Sequence, residues 1–185
     1  MLSYLCKIYL KRGRWKAVGE FPTGLKKAVV IVAPHTSSKD VTVCLAFRKV
    51  LQLERIKFLG KQELFKPPFG FIFRKLGGIP VDRSHNTNLV DEVVKLFDQN
   101  DEFIIGLSPE GTRRKVDRLR TGFYHIAKKA GVPIVMLGLD FEHRQLIFAE
   151  PFYTNDDESA DIKHILRFFG PIKGKYPELG VGHLV

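Results

Sequence analysis

Two cysteines, Cys6 and Cys44, are too few for a disulfide framework, and their spacing fits no metal-ligand pattern. A reduced, cytoplasmic setting is therefore the expectation, with no metal. No apolar run approaches the ~18 residues that a membrane-crossing helix needs. Met1 to Leu10 has neither a basic leader nor a long apolar core, so no secretory signal is expected. Acidic residues are also scarce: 20 Asp and Glu face 30 Lys and Arg, for a formal net charge of +10. A surplus of that size calls for an anionic partner: nucleic acid, an acidic membrane face, or a phosphorylated or acidic-protein substrate. The basic stretches Arg113-Arg114-Lys115 and Arg118 to Arg120 lack interleaved stacking aromatics, which argues against nucleic acid. A serine hydrolase is also disfavoured, because Ser108 lies in Leu-Ser-Pro-Glu-Gly and not in a Gly-x-Ser-x-Gly elbow.

What is present reads as a folded globular domain. With 44% hydrophobic and 27% charged residues the chain is globular, not disordered. Its 185 residues suit one domain, spanning 1–185, with no internal repeat or low-complexity tract. Continuous apolar strands are expected at Ala28 to Ala33, Arg55 to Gly60, Ile79 to Val81, Phe103 to Leu107, Pro133 to Leu139 and Gln145 to Ala149. Between them helical spacing is expected at Ser38 to Leu51, Phe69 to Leu76, Thr87 to Gln99, Gly122 to Ala130 and Asp157 to Phe169. The alternation predicts an α/β fold, single-domain, with a largely parallel central sheet flanked by helices. At the start, Leu2, Leu5, Ile8 and Tyr9 share one helical face flanked by Lys7, Lys11, Arg12 and Arg14. Residues 1–14 thus either lie on an anionic membrane surface or dock on their own domain.

Candidate chemistry centres on Ala33-Pro34-His35-Thr36-Ser37-Ser38-Lys39-Asp40. His35 stands where the first long strand ends, and Asp40 stands in the first turn of the following helix. The aspartate can hold one ring nitrogen protonated and leave the other free to take a proton from a hydroxyl. It can equally serve as a helix cap with Ser37 or Ser38. Ser108 to Arg113 also leaves a strand, so in a parallel sheet both loops emerge at the carboxyl edge where ligands bind. There Gly111 permits close backbone approach, Thr112 offers a hydroxyl, and Arg113 offers a fork for phosphate. Glu110 either accepts from a hydroxyl or holds the arginine. Arg83, after the short strand at Ile79 to Val81, is a second candidate cation. The segment holding Phe65, Phe69, Phe71 and Phe73 is interrupted by Pro67, Pro68 and Gly70, which makes burial of all four rings awkward. Part of it is expected to form an apolar groove or a membrane-contacting edge.

Taken in order, these blocks resemble the glycerolipid acyltransferases of the 1-acylglycerol-3-phosphate acyltransferase type. His35 to Asp40 matches that family's His-x4-Asp motif, Gly78 to Arg83 resembles its second block, and Ser108 to Arg113 its third. Gly131-Val132-Pro133-Ile134-Val135 is similar to the fourth, and Gly60 to Phe65 to its lysine-bearing segment. The motifs fall between residues 33 and 140. Departures are Ser108 for an aromatic or aliphatic residue, Met136 for a second proline, and Pro34 for a common asparagine. The resemblance implies transfer of a fatty acyl group from an acyl-carrier protein or coenzyme A thioester to a hydroxyl of a lipid acceptor, without a further cofactor. It implies His35 as base and Asp40 as its partner. Arg83, Arg113 and Lys61 would bind the acceptor phosphate, with Gly111 and Thr112 shaping the turn and Glu110 in the same substrate site, and Phe65, Phe69, Phe71 and Phe73 would guide the acyl chain. A protein held peripherally at the cytoplasmic face of an anionic membrane is implied as well. Another lipid hydroxyl, on an acylated amino acid or a glycolipid, is the alternative acceptor. A basic membrane- or nucleic-acid-binding module without catalysis is the alternative of a different class.

Overall fold

The computed structural model describes residues 1–81 and 89–185, with Lys61 described by its backbone. Helices are α1 (Leu2–Arg12), α2 (Ser38–Val50), α3 (Gly70–Lys75), α4 (Leu89–Gln99), α5 (Gly122–Ala130) and α6 (Glu158–Phe169). Strands are β1 (Lys16–Val18), β2 (Lys27–Ala33), β3 (Ile56–Lys61), β4 (Gly78–Val81), β5 (Phe103–Leu107), β6 (Ile134–Asp140) and β7 (Gln145–Phe148). The described strands form one seven-stranded sheet in the order β1-β7-β6-β2-β5-β3-β4. Pairing is parallel from β6 through β4, and the β6–β7 hairpin is antiparallel. The expected α/β architecture is therefore present, with one antiparallel joint.

Period-two alternation in the central strands builds two cores. Val29, Ile31 and Ala33 of β2, with Ile134 and Met136 of β6, face α4, α5 and α6. Ala28 and Val30, with Val135, Leu137 and Leu139, face α1 and α2. The helices answer at helical spacing: Val43, Ala46 and Phe47 on α2, Ile165 and Phe169 on α6. The outer strand β4 carries Pro80, whose missing N–H costs nothing on a free edge.

Three features differ from the sequence expectations. β1 is an added edge strand, its three residues all exposed, and it pairs with β7. Helix α1 docks on α2 through Leu10 and Cys6, while Leu2, Tyr4, Leu5 and Tyr9 stay exposed. The docked face is thus not the apolar face that the spacing picks out, so α1 both docks and presents apolar side chains outward. Finally, the Gly/Pro-rich tail after α6 is packed: Val181 is fully buried, and the carbonyl of Lys173 accepts from the Phe141 N–H at 2.8 Å. Among the described residues no helix is long and apolar enough to cross a membrane.

Candidate active site

Parallel register places the relevant loops side by side. Ile31 of β2 lies opposite Leu107 of β5 and Met136 of β6, so the segments following all three strands emerge at one carboxyl edge. β2 lies between the other two. The turn carrying His35 is therefore flanked by the turn after β5 on one side and the turn after β6 on the other.

Asp40 is 2% exposed, and a single oxygen, Oδ2, collects three donors. These are His35 Nδ1 at 3.0 Å and the backbone N–H groups of Thr36 and Ser37, each at 2.8 Å. Both sequence readings of Asp40 hold at once, since it completes the capping box with Ser37 and also meets the imidazole. A carboxylate only accepts, so Nδ1 carries the hydrogen and Nε2 keeps its lone pair. The His35 side chain is 26% exposed, which leaves it open to a substrate. Oδ1 of Asp40 is buried without a partner among the described residues.

Glu110 joins the two loops. It is 1% exposed, and its Oε1 accepts from the His35 backbone N–H at 2.7 Å while Oε2 accepts from the Ser108 hydroxyl at 2.6 Å. Burial pushes its carboxyl pKa up, against the pull of these two hydrogen bonds. Of the two roles expected for Glu110, accepting from a hydroxyl is the one seen, and protein donors occupy both of its oxygens. It positions the segment that carries the imidazole. Sequence reasoning offers no signal for the His35 N–H bond, which arises from the β2–β5 register.

In the same turn Gly111 has φ +64°, and a methyl group there would lie 2.7 Å from Arg120 Cδ. Arg120 therefore packs directly on the turn, and its N–H bonds the Pro109 carbonyl at 2.8 Å. Thr112 Oγ1 accepts from the Arg114 N–H at 3.3 Å, closing a local turn. Arg113 is exposed and makes no hydrogen bond or ion pair with the described residues. Lys61 ends β3 at the same edge, opposite Val81 at the end of β4. Arg83 lies outside the described residues.

The four phenylalanines do not line one surface. Phe65 is 4% exposed, with its ring against Gly60 and Gly78, and Phe73 packs edge-on to it at 6.1 Å. Phe65 is thus a core residue and no groove wall, because the two glycines leave room for its ring. Phe69 and Phe71 are 64% and 66% exposed, and Leu64 and Ile72 of the same segment are exposed as well. The C-terminal tail is a part of the site that sequence reasoning missed. Gly174 sits so close to Thr36 that a Cβ there would lie 2.7 Å from its Oγ1, and the Tyr176 N–H donates to that oxygen at 3.1 Å.

The family model described as Acyltransferase matches residues 13–139. Over 123 residues the chain is 32% identical to the 1-acyl-sn-glycerol-3-phosphate acyltransferase of Haemophilus influenzae, covering 63% of this chain and 50% of that protein. It is 30% identical over 112 residues to the Escherichia coli K12 protein of the same name, covering 57% and 44% respectively. The chain spans about half the length of these curated relatives. The crystal structure of the 1-acyl-sn-glycerophosphate acyltransferase PlsC from Thermotoga maritima has the same fold, with a TM-score of 0.58 and 20% identity over 90% of this chain and 75% of that one. The matched region runs from before β1 to the end of β6 and includes both loops of the site, and on that match the chain belongs to the acyltransferase family.

Proposed function

We propose that the protein transfers a fatty acyl group from an acyl thioester to a hydroxyl of a lysophospholipid such as 1-acylglycerol-3-phosphate. The observation that carries this reading is the 3.0 Å contact of His35 Nδ1 with Asp40, which leaves Nε2 as a free base at the carboxyl edge of the sheet. Nε2 takes the acceptor's hydroxyl proton as its oxygen attacks the thioester carbonyl. The tetrahedral intermediate collapses with cleavage of the C–S bond, and the leaving thiolate takes the proton back from the imidazolium. Base catalysis of this kind contributes roughly 10²–10⁴ in rate. Asp40 stabilises the imidazolium while it exists. The step uses no cofactor beyond the thioester.

Arg113, exposed and unpaired among the described residues, is the cation that takes the acceptor phosphate, with Lys61, at the end of β3, and Arg83, two positions after β4 in the sequence, as further donors. The apolar edge at Leu64, Phe69, Phe71 and Ile72 and the outward side chains of α1 contact the membrane from which the acceptor comes. Lys7, Lys11 and Arg12 favour an anionic surface, at ~1 kcal/mol per basic residue near the bilayer. The setting this implies is the cytoplasmic face of a membrane. A panel of lyso-lipid acceptors offered with one radiolabelled thioester tests the proposal. Labelled phosphatidate from lysophosphatidate is the expected product. Transfer only to an acylated amino acid or a glycolipid would replace the acceptor, and no transfer to any acceptor would overturn the reaction.

A further inference from the structure

The turn after β5 supplies Arg113, and the other flank of His35 is also basic: beyond the α1 side chains given to the membrane, its Lys39, Arg144 and Lys175 have no task in the scheme above. There a hollow of about 560 Å³ opens between α1, the first turns of α2 and the β6–β7 turn. Its volume lies in the range of small-molecule sites. Tyr9, Trp15 and Phe141 supply aromatic surface, and Arg12, Lys39, Arg144 and Lys175 supply charge. None of the four cations is paired with a carboxylate of a described residue. A second hollow of about 360 Å³ adjoins it and shares Phe141, Arg144 and Lys175. It reaches Gly174, which presses on Thr36 beside the imidazole. Glu142 is the carboxylate that borders this second hollow.

The aromatic part is firmly built. Trp15 packs edge-on to Phe141 at 4.9 Å and to Phe47 at 6.3 Å, and the Arg144 guanidinium lies over its ring at 5.8 Å. Arg144 holds φ +56°, in the left-handed region that non-glycine residues rarely adopt, and its carbonyl is tied to the Lys16 N–H at 2.9 Å. Aromatic rings combined with several unpaired cations recognise a nucleotide: the rings stack a base while the cations take phosphates. A lipid tail would want an apolar, uncharged wall. A lone phosphate monoester would need fewer cations.

We infer that this hollow holds the nucleotide end of coenzyme A, so that the donor approaches His35 from the β6 side while the acceptor phosphate sits on the β5 side. The inference rests on the thioester transfer proposed above, but binding is measured without turnover. Trp15 is the sole tryptophan of the chain and lines the hollow, so its fluorescence reports occupancy. Coenzyme A should change that fluorescence saturably, with pantetheine and 4′-phosphopantetheine binding at least about tenfold more weakly. Lys175→Ala and Lys39→Ala, both surface changes checked by melting, should each weaken coenzyme A about tenfold, the loss of one charge-assisted phosphate contact. In turnover they should raise KM for the coenzyme A thioester and leave KM for the acceptor within about twofold, on the same scale of one lost contact. Equal binding of 4′-phosphopantetheine would overturn the nucleotide assignment in favour of a carrier protein. A response to lysophosphatidate alone, or no response to coenzyme A, would also overturn it. Saturable coenzyme A binding without acyl transfer to any acceptor would keep the site and remove the proposed reaction.

Discussion

Replacing Asp40 by alanine and His35 by alanine should cost the same in rate and different amounts in stability. Asp40→Ala strips three donors of their acceptor at once. Two are the N–H groups of Thr36 and Ser37, both residues buried, and an unsatisfied buried donor costs about 1–3 kcal/mol. The loss of the capping box overlaps with this figure, so about 3 kcal/mol is the sum expected. At roughly 2–4 °C per kcal/mol for a chain of this size, Tm should fall by about 6–12 °C. His35→Ala removes one hydrogen bond from a partly exposed ring, and Asp40 Oδ2 keeps its two backbone donors. That costs about 1 kcal/mol, or roughly 2–4 °C. Turnover should fall about 10²–10⁴-fold in each, and the double variant should be no slower than the singles because the two groups act as a unit. The assays are initial rates of acyl transfer and calorimetric melting of the four proteins of the cycle. If Asp40→Ala turned over within about tenfold of the parent while His35→Ala were inactive, the carboxylate would be a helix cap alone. If the two single variants lost equal Tm, the assignment of the backbone donors would be wrong.

Arg113→Ala should raise KM for a phosphorylated acceptor at least about tenfold and barely change use of an unphosphorylated one; unchanged selectivity in acceptor kinetics would remove the phosphate role. Glu110 has its pKa raised by burial above its ordinary 4.5, so its contribution to stability is full below that value and is lost as pH rises through the folded-state pKa. Glu110→Gln still offers an oxygen to the His35 N–H and escapes that loss, so its Tm should gain on the parent from about pH 4 upward. A Tm difference that is flat with pH would refute the buried charge. Gly174→Ala should push its methyl against Thr36 Oγ1, destabilise by about 1–3 kcal/mol and slow turnover through the displaced His35 turn; normal melting and kinetics would show that the tail yields freely. Binding to anionic vesicles should be reversed by salt and be absent on zwitterionic ones in co-sedimentation. Equal binding to both would count against the basic docking surface.

The features legible in the sequence are those set by local pattern. The apolar run of β2 and the motif after it announce a strand that ends in a reactive turn, because five residues from His35 to Asp40 suffice to close it. The two rival roles of Asp40 cannot be separated by spacing, and the structure shows why: one oxygen performs both. What was not legible depends on contacts between distant segments. Glu110 meets His35 only because β2 and β5 are neighbours in register. β1 has three exposed residues and no alternation, so only its pairing with β7 makes it a strand. The Gly/Pro-rich tail has no periodicity, and it is ordered by the close fit of Gly174 on Thr36. Phe65 differs from Phe69 and Phe71 only through Gly60 and Gly78, glycines on two other strands that leave space for one ring and not for the others.

The positive surplus and the catalytic pair act at different ranges, and this resolves an apparent conflict between them. Under the proposed reaction, cations on both flanks of His35 attract anionic substrates and favour a developing oxyanion, while the base step depends on how the imidazole is held. They are exposed, so water and salt screen them over ~10 Å. Asp40 lies at 3.0 Å, buried, with one oxygen unpartnered among the described residues. An exposed cation farther off is screened by water and acts weakly on any one group. The near carboxylate therefore orients the imidazole through its hydrogen bond, while the more distant cations act on whatever diffuses in. A basic surface and the proposed histidine base are compatible in this fold because the carboxylate is buried against the ring and the cations are left in water.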